Sequence, residues 1–191
     1  MPEEPVLTCE HRRMVTSFYS NLVTRPTGRA VRMGVESQLA ELDGMEEICL
    51  SVLDFSQVHV LDYSCADEIV AKLLLHYLGD DRPSDAYFVA RGLQEHHLEA
   101  VEAVLERHGL LLVAQDEDGS ALLLGPSNPF ERACWAALAR RRCAPPRELA
   151  GEAGLPDEVV APILARLTGQ RVMVRSGSDL LFDLTHLASE S

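Results

Sequence analysis

The chain has 191 residues, a hydrophobic content of 47% and a formal net charge of −13. That length suits one large domain or two small ones, and that composition excludes bulk disorder. There is no run of about 18 apolar residues of the kind a membrane-spanning helix needs. An acidic surface repels phosphate backbones and argues against general nucleic-acid binding by the part that carries it. The charge is unevenly placed: residues 1–126 hold 9 Lys and Arg against 22 Asp and Glu, and residues 127–191 hold 8 of each. The opening Met1-Pro2-Glu3-Glu4-Pro5 lacks the basic and apolar regions of a signal peptide, so a soluble, cytoplasmic protein is expected. The five cysteines (Cys9, Cys49, Cys65, Cys134 and Cys143) form no Cys-x-x-Cys pair. Cys49 and Cys134 lie among apolar residues and read as small buried hydrophobes.

In chain order, Met14 to Val23 is rich in β-formers and predicts a strand. Arg25-Pro26-Thr27-Gly28-Arg29 reads as a turn. Val31, Val35, Leu39 and Leu42 then share one helical face that ends near Gly44. Ile48 to Phe55 is a nearly continuous apolar run, as in a strand buried on both faces, and Val58 to Leu61 continues it. From Ser64 the period becomes helical and stops at Gly79-Asp80-Asp81-Arg82-Pro83. Ala86 to Ala90 is a short strand. Leu93 to His108 is a helix capped by Gly109. Leu110–Ala114 and Ala121–Leu124 flank Asp118-Gly119 as a hairpin. This alternation predicts an α/β layer structure over residues 1–126.

Gly125-Pro126-Ser127-Asn128-Pro129 breaks the pattern. Beyond it, residues 127–191 predict helices over Pro129–Arg142, Pro145–Ala150 and Pro156–Gln170. A hairpin from Arg171 to Leu184 follows. Three helices and a two-stranded wing make a winged helix-turn-helix.

The stretch from Leu53 to Glu68 concentrates the functional signals. Ser64 reads in two ways. It can be the N-cap of the helix, accepting the Asp67 amide in a capping-box spacing. It can also be a phosphoacceptor at a helix N-terminus, where Asp62, Asp67 and Glu68 would repel the added charge. Asp54 and Asp62 end apolar runs at the carboxyl edge of the sheet, where ligands gather in α/β folds; solvated loop acids are the simpler reading. His59 reads as a core or edge histidine, and His96-His97 as part of a solvated helix face. No nucleophile with a base partner is evident, and no catalytic residue, metal site or cofactor is assigned.

Leu53-Asp54-Phe55-Ser56-Gln57-Val58 followed by Leu61-Asp62-Tyr63-Ser64-Cys65-Ala66-Asp67-Glu68 resembles the STAS domain of anti-sigma factor antagonists. It is most similar to a divergent STAS-like branch, which the Arg25…Gly28-Arg29 segment also fits. The resemblance covers roughly residues 20–124. It implies a STAS-like mixed sheet with helices and a non-enzymatic bacterial signalling role. It also implies a protein partner, a GHKL-type kinase or anti-sigma-like factor, at the turn formed by Asp62, Tyr63, Ser64, Cys65, Asp67 and Glu68. Ser64 matches the phosphorylated serine of that family's Asp-Ser-Ser-Gly turn. Tyr63 stands where the first serine would be and Cys65 where the glycine would be. Residues 127–191 resemble winged-helix domains of MarR-like bacterial regulators through Glu148-Leu149-Ala150, Gly154-Leu155-Pro156 and Leu164-Ala165-Arg166-Leu167.

The alternative is a DNA-binding regulator whose STAS-like part senses a signal or forms a homodimer. Its candidate DNA contacts are Arg140, Arg141, Arg142, Arg166, Arg171 and Arg175. The expected recognition helix opens on Asp157 and Glu158, where base edges are usually read, and carries one basic residue, Arg166. Protein docking through the winged helix is therefore the reading set ahead of DNA binding.

Overall fold

The computed structural model describes residues 9–42, 47–177 and 179–189. The chain is an α/β protein. A five-stranded mixed sheet runs in the order β1 (His11–Leu22), β2 (Ile48–Leu61), β3 (Ala86–Arg91), β4 (Leu112–Gln115) and β5 (Ala121–Leu124). The first four strands are parallel and β5 returns antiparallel to β4. The strand order never reverses, so crossovers of one hand place their helices on one face of the sheet. Those helices are α1 (Arg25–Ala40), α2 (Tyr63–Ala66), α3 (Leu73–Leu78) and α4 (Glu95–His108). Between α2 and α3 the helix runs on without a break through a π-helical segment, Asp67–Lys72.

Alternation along the strands fills two cores. Cys49, Leu53, Phe55, Ala86, Phe88, Ala90, Leu112 and Ala114 point to the helical face, against Val35, Leu39, Ile69, Val70, Val101 and Leu105. Leu50, Val52, Tyr87, Val89, Leu111 and Val113 point the other way. That second face is covered by the C-terminal segment: α5 (Pro129–Arg141), α6 (Pro146–Ala153), α7 (Asp157–Gly169) and α8 (Leu184–Ser189). A small antiparallel sheet of order β6 (Cys143–Ala144), β8 (Leu180–Asp183), β7 (Met173–Ser176) joins them. Cys134, Trp135, Leu138, Leu164, Leu167, Phe182 and Leu187 share one apolar cluster with the strand residues. Burial on both faces is why β2 reads as a continuous apolar run.

Polar ties reinforce this packing. Arg171 sits over the Tyr87 ring at 3.9 Å, donates to the Ala86 carbonyl at 3.0 Å and pairs with Asp85. Gln170 accepts the Leu111 amide at 3.1 Å, and His11 bonds the Leu187 carbonyl at 3.0 Å.

Several elements differ from expectation. Arg25–Arg29 is the first turn of α1, not a free turn, because Pro26 suits a first helical turn. The expected helix end at Gly44 lies outside the described residues. The two expected segments 48–55 and 58–61 are one strand, since β1 pairs with it along its whole length. β6 and α8 were not anticipated: two residues carry too little pattern for a strand, and α8 follows β8 without a turn signal. No helix among the described residues is long and apolar enough to cross a membrane.

Candidate functional site

The junction between β2 and α2 is built from the Asp62 carboxylate. Asp62 is in extended backbone and is the N-cap of α2: its Oδ1 accepts the Cys65 amide at 2.8 Å. The same oxygen accepts the Ser64 hydroxyl at 2.9 Å, and Oδ2 accepts the Thr24 amide at 3.1 Å. The expected Ser64 cap is thus corrected. The cap lies two residues earlier, at Asp62, and the helix starts at Tyr63, so Ser64 lies inside the first turn and its hydroxyl donates back to the true cap. Burial alone would raise the Asp62 carboxyl, but the bonds from Cys65, Thr24 and Ser64 outweigh it and hold it below the usual range.

Behind the junction three helices bury a cluster of charges. Asp67 and Glu68 open the π-helical segment and are buried, Glu68 completely. Arg25, on α1, reaches Asp67 at 2.7 Å and Glu68 at 3.0 Å. Lys72 pairs with Glu68 at 2.5 Å, Arg32 at 3.4 Å, and His108 bonds Asp67 at 2.9 Å. Burial pushes both carboxyls up, and these donors more than reverse it, holding both below the ordinary carboxylate values. The arrangement requires close contact between α1 and the α2–π helix. Gly28 supplies it: a Cβ there would lie 2.9 Å from the Cys65 Cα and 3.0 Å from the Glu68 Cβ. Thr24, just before α1, is held at φ 74°, a region that a β-branched residue rarely adopts.

The residues of the predicted partner-binding turn therefore separate. Tyr63 is exposed, with its hydroxyl receiving Arg107 at 3.0 Å, and Asp62 and Ser64 are half-buried. Cys65, Asp67 and Glu68 face inward and meet α1 and α4, so they shape the turn without presenting a surface.

No protein-family model matches this chain, and no curated protein matches it.

Chemically the junction orients groups and does not activate them. Burial and the Asp62 charge push the Cys65 thiol up to about 11, and it donates to the Thr24 carbonyl at 2.9 Å. A thiol in that state is a poor nucleophile. An acidic Asp62 is a weak base toward Ser64. Asp54 is corrected from a solvated loop acid: it lies in β2 beside Arg91, which grips it at 2.9 and 3.0 Å, and it accepts the Ser56 amide. His97 is corrected from a solvated face: it is fully buried and accepts the Gln94 amide at the start of α4. His59 is exposed, and its carbonyl receives His96 at 2.8 Å. Among the described residues no group of three His, Cys, Asp or Glu side chains is arranged to hold a metal ion.

The candidate DNA contacts are dispersed into internal pairs. Arg140 and Arg141 turn to Glu152 and Glu148 on α6. Arg166 meets Glu131 at 2.6 Å and the Pro126 carbonyl, Arg171 lies on Tyr87, and Arg175 pairs with Asp179 at 2.8 Å. Arg142 is exposed at φ 69°. The exposed residues of α7 are Asp157, Glu158, Val159, Ala161, Pro162, Ala165 and Gly169.

Sequence reasoning missed the cations Arg25, Arg32, Lys72 and His108. Two signals carried them. Asp67 and Glu68 interrupt an otherwise apolar helical run, and Arg25, Gly28 and Arg32 share one face of α1 at helical spacing.

Proposed function

We propose that the chain is a non-enzymatic bacterial regulatory protein, a STAS-like α/β part followed by a winged helix, that engages a protein partner at the β2–α2 corner. One observation carries this reading. The corner presents Tyr63 and Ser64 on a helix start pinned by Asp62 and the buried charge cluster, while its carboxylates and thiol are spent on internal bonds. A rigid surface without a reactive group suits docking better than catalysis. The strand–turn–helix around Asp54, Asp62 and Ser64 supports the STAS-like assignment. Three helices followed by β7 and β8, with β6 completing a small sheet, support the winged helix.

A GHKL-type kinase or anti-sigma-like factor is the partner class this reading implies, with Ser64 as the modulated group. A phosphate on Ser64 would break its bond to Asp62 and place two anions together. DNA binding has less support, because the exposed face of α7 is acidic and apolar and five of the six arginines are ion-paired within the chain.

Affinity capture from native cells with mass spectrometry tests the proposal. Wild type is expected to retain an ATPase-class partner that Tyr63→Ala and Ser64→Asp lose and Ser64→Ala keeps. An identical set of captured proteins with all four chains would sink the docking corner. Recovery of DNA in place of a protein partner would favour the other reading.

A further inference from the structure

The cleft between the β4–β5 hairpin and the C-terminal segment is large and chemically uneven. It is an open cavity of about 610 Å³ whose lining includes Trp135, Ala136 and Ala139 of α5 and Asp183, Thr185 and His186. Arg140 and Arg142 also line it.

Asp183 is an unusual wall residue. It is 2% exposed. Its Oδ2 accepts the Thr185 hydroxyl at 2.5 Å and the His186 amide at 3.1 Å, while its Oδ1 has no hydrogen-bond partner. A buried carboxylate oxygen left unpaired is costly, and such groups call for an explanation. Burial pushes this carboxyl up, against the opposing pull of Thr185 and His186.

Arg142 supplies the second anomaly. A non-glycine residue at φ 69° and ψ −40° is strained. It is held there by its own amide on the Leu138 carbonyl at 2.8 Å and by the Asp183 amide on its carbonyl at 2.9 Å. This brings an arginine with a fixed backbone next to a buried, half-satisfied carboxylate at the mouth of one cavity.

We propose that this cleft binds a small zwitterion of the α-amino acid class. Its ammonium donates to Asp183, its carboxylate meets Arg142 with Arg140 beside it, and its side chain lies along Trp135 and Ala139. A carboxylate and a guanidinium lining one cavity match the two opposite charges of such a ligand. The site joins the sheet to the C-terminal segment, a place where small-molecule sites often form.

Trp135 is the only tryptophan in the chain, so its fluorescence reports the site directly. The full chain is titrated with each of the twenty amino acids, and separately with acetate and with ethylamine. One amino acid or a related group is expected to give a saturable change that neither half-ligand reproduces. Arg142→Gly relieves the positive φ, so its melting temperature should equal or exceed that of wild type while binding weakens about tenfold or more. Asp183→Asn, which keeps an acceptor for Thr185 and His186, should weaken binding by a similar factor. The proposal fails if no amino acid gives a saturable change up to roughly 10 mM. It also fails if acetate alone binds as well as any amino acid, or if binding survives undiminished in the folded Arg142→Gly chain.

Discussion

Gly28 and Glu68 act together at the residue scale. Adding a methyl at Gly28 drives it into the Cys65 backbone, which a helix cannot move without shifting the whole turn. Gly28→Ala should therefore lower stability by about 1–3 kcal/mol despite better helix propensity, read as a lower urea midpoint. The pH dependence follows from the ion cluster. Asp67 and Glu68 lie below their ordinary values in the fold, so the unfolded chain binds more protons on the acid side. Their contribution is present above the ordinary carboxylate range and is lost as pH falls from that range through their lower folded values. His97 is also lowered, mainly by burial, so its loss begins earlier, as pH falls through about 6.5. Asp183 is raised and acts with the opposite sign: its contribution is lost as pH rises through its folded value. Urea midpoints across this range should fall on acidification in two windows. Glu68→Gln should flatten the lower window and leave the upper one in place.

At the element scale, two features decide how the parts meet. The first is the π-helical segment Asp67–Lys72, which brings both Asp67 and Glu68 within reach of Arg25. The helical period that begins at Ser64 announced a helix here, but no periodicity argument separates a π turn from an α turn six residues long. The second is the approach to β7, where Arg171 lies on Tyr87 of β3. Its side chain is 11% exposed, so it is not free to meet a ligand. Arg171→Ala should cost about 1–3 kcal/mol through the lost stack and hydrogen bonds, measured by denaturant unfolding. Patterning made the long elements legible. α4 ends at Gly109 in the left-handed conformation, and β4 and β5 turn around Asp118-Gly119, as composition required. What was not legible is pairing between distant charges. An arginine looks the same in sequence whether it meets DNA, as Arg171 was read, or a tyrosine ring 84 residues upstream.

At the scale of the whole molecule, one sheet carries two cores. Removing residues 127–191 would uncover Leu50, Val52, Val89, Leu111 and Val113 together. A chain ending at residue 126 is expected to aggregate or bind a hydrophobic dye, whereas the intact chain should unfold in a single transition. A monodisperse, dye-negative fragment would show that the sheet tolerates an open second face. The break at Gly125–Pro129 was read from turn chemistry and a change in charge, neither of which reports what packs on the far side of a strand. The double coating also sets how freely each strand can drift over generations. Residues 49–55 of β2 are buried at every position, so a saturation library should return uniform intolerance there. In β1, Arg13, Val15, Ser17 and Tyr19 are exposed, while Met14 and Thr16 are half-buried and Phe18 is buried. The same library should therefore show every second position of β1 accepting polar replacements.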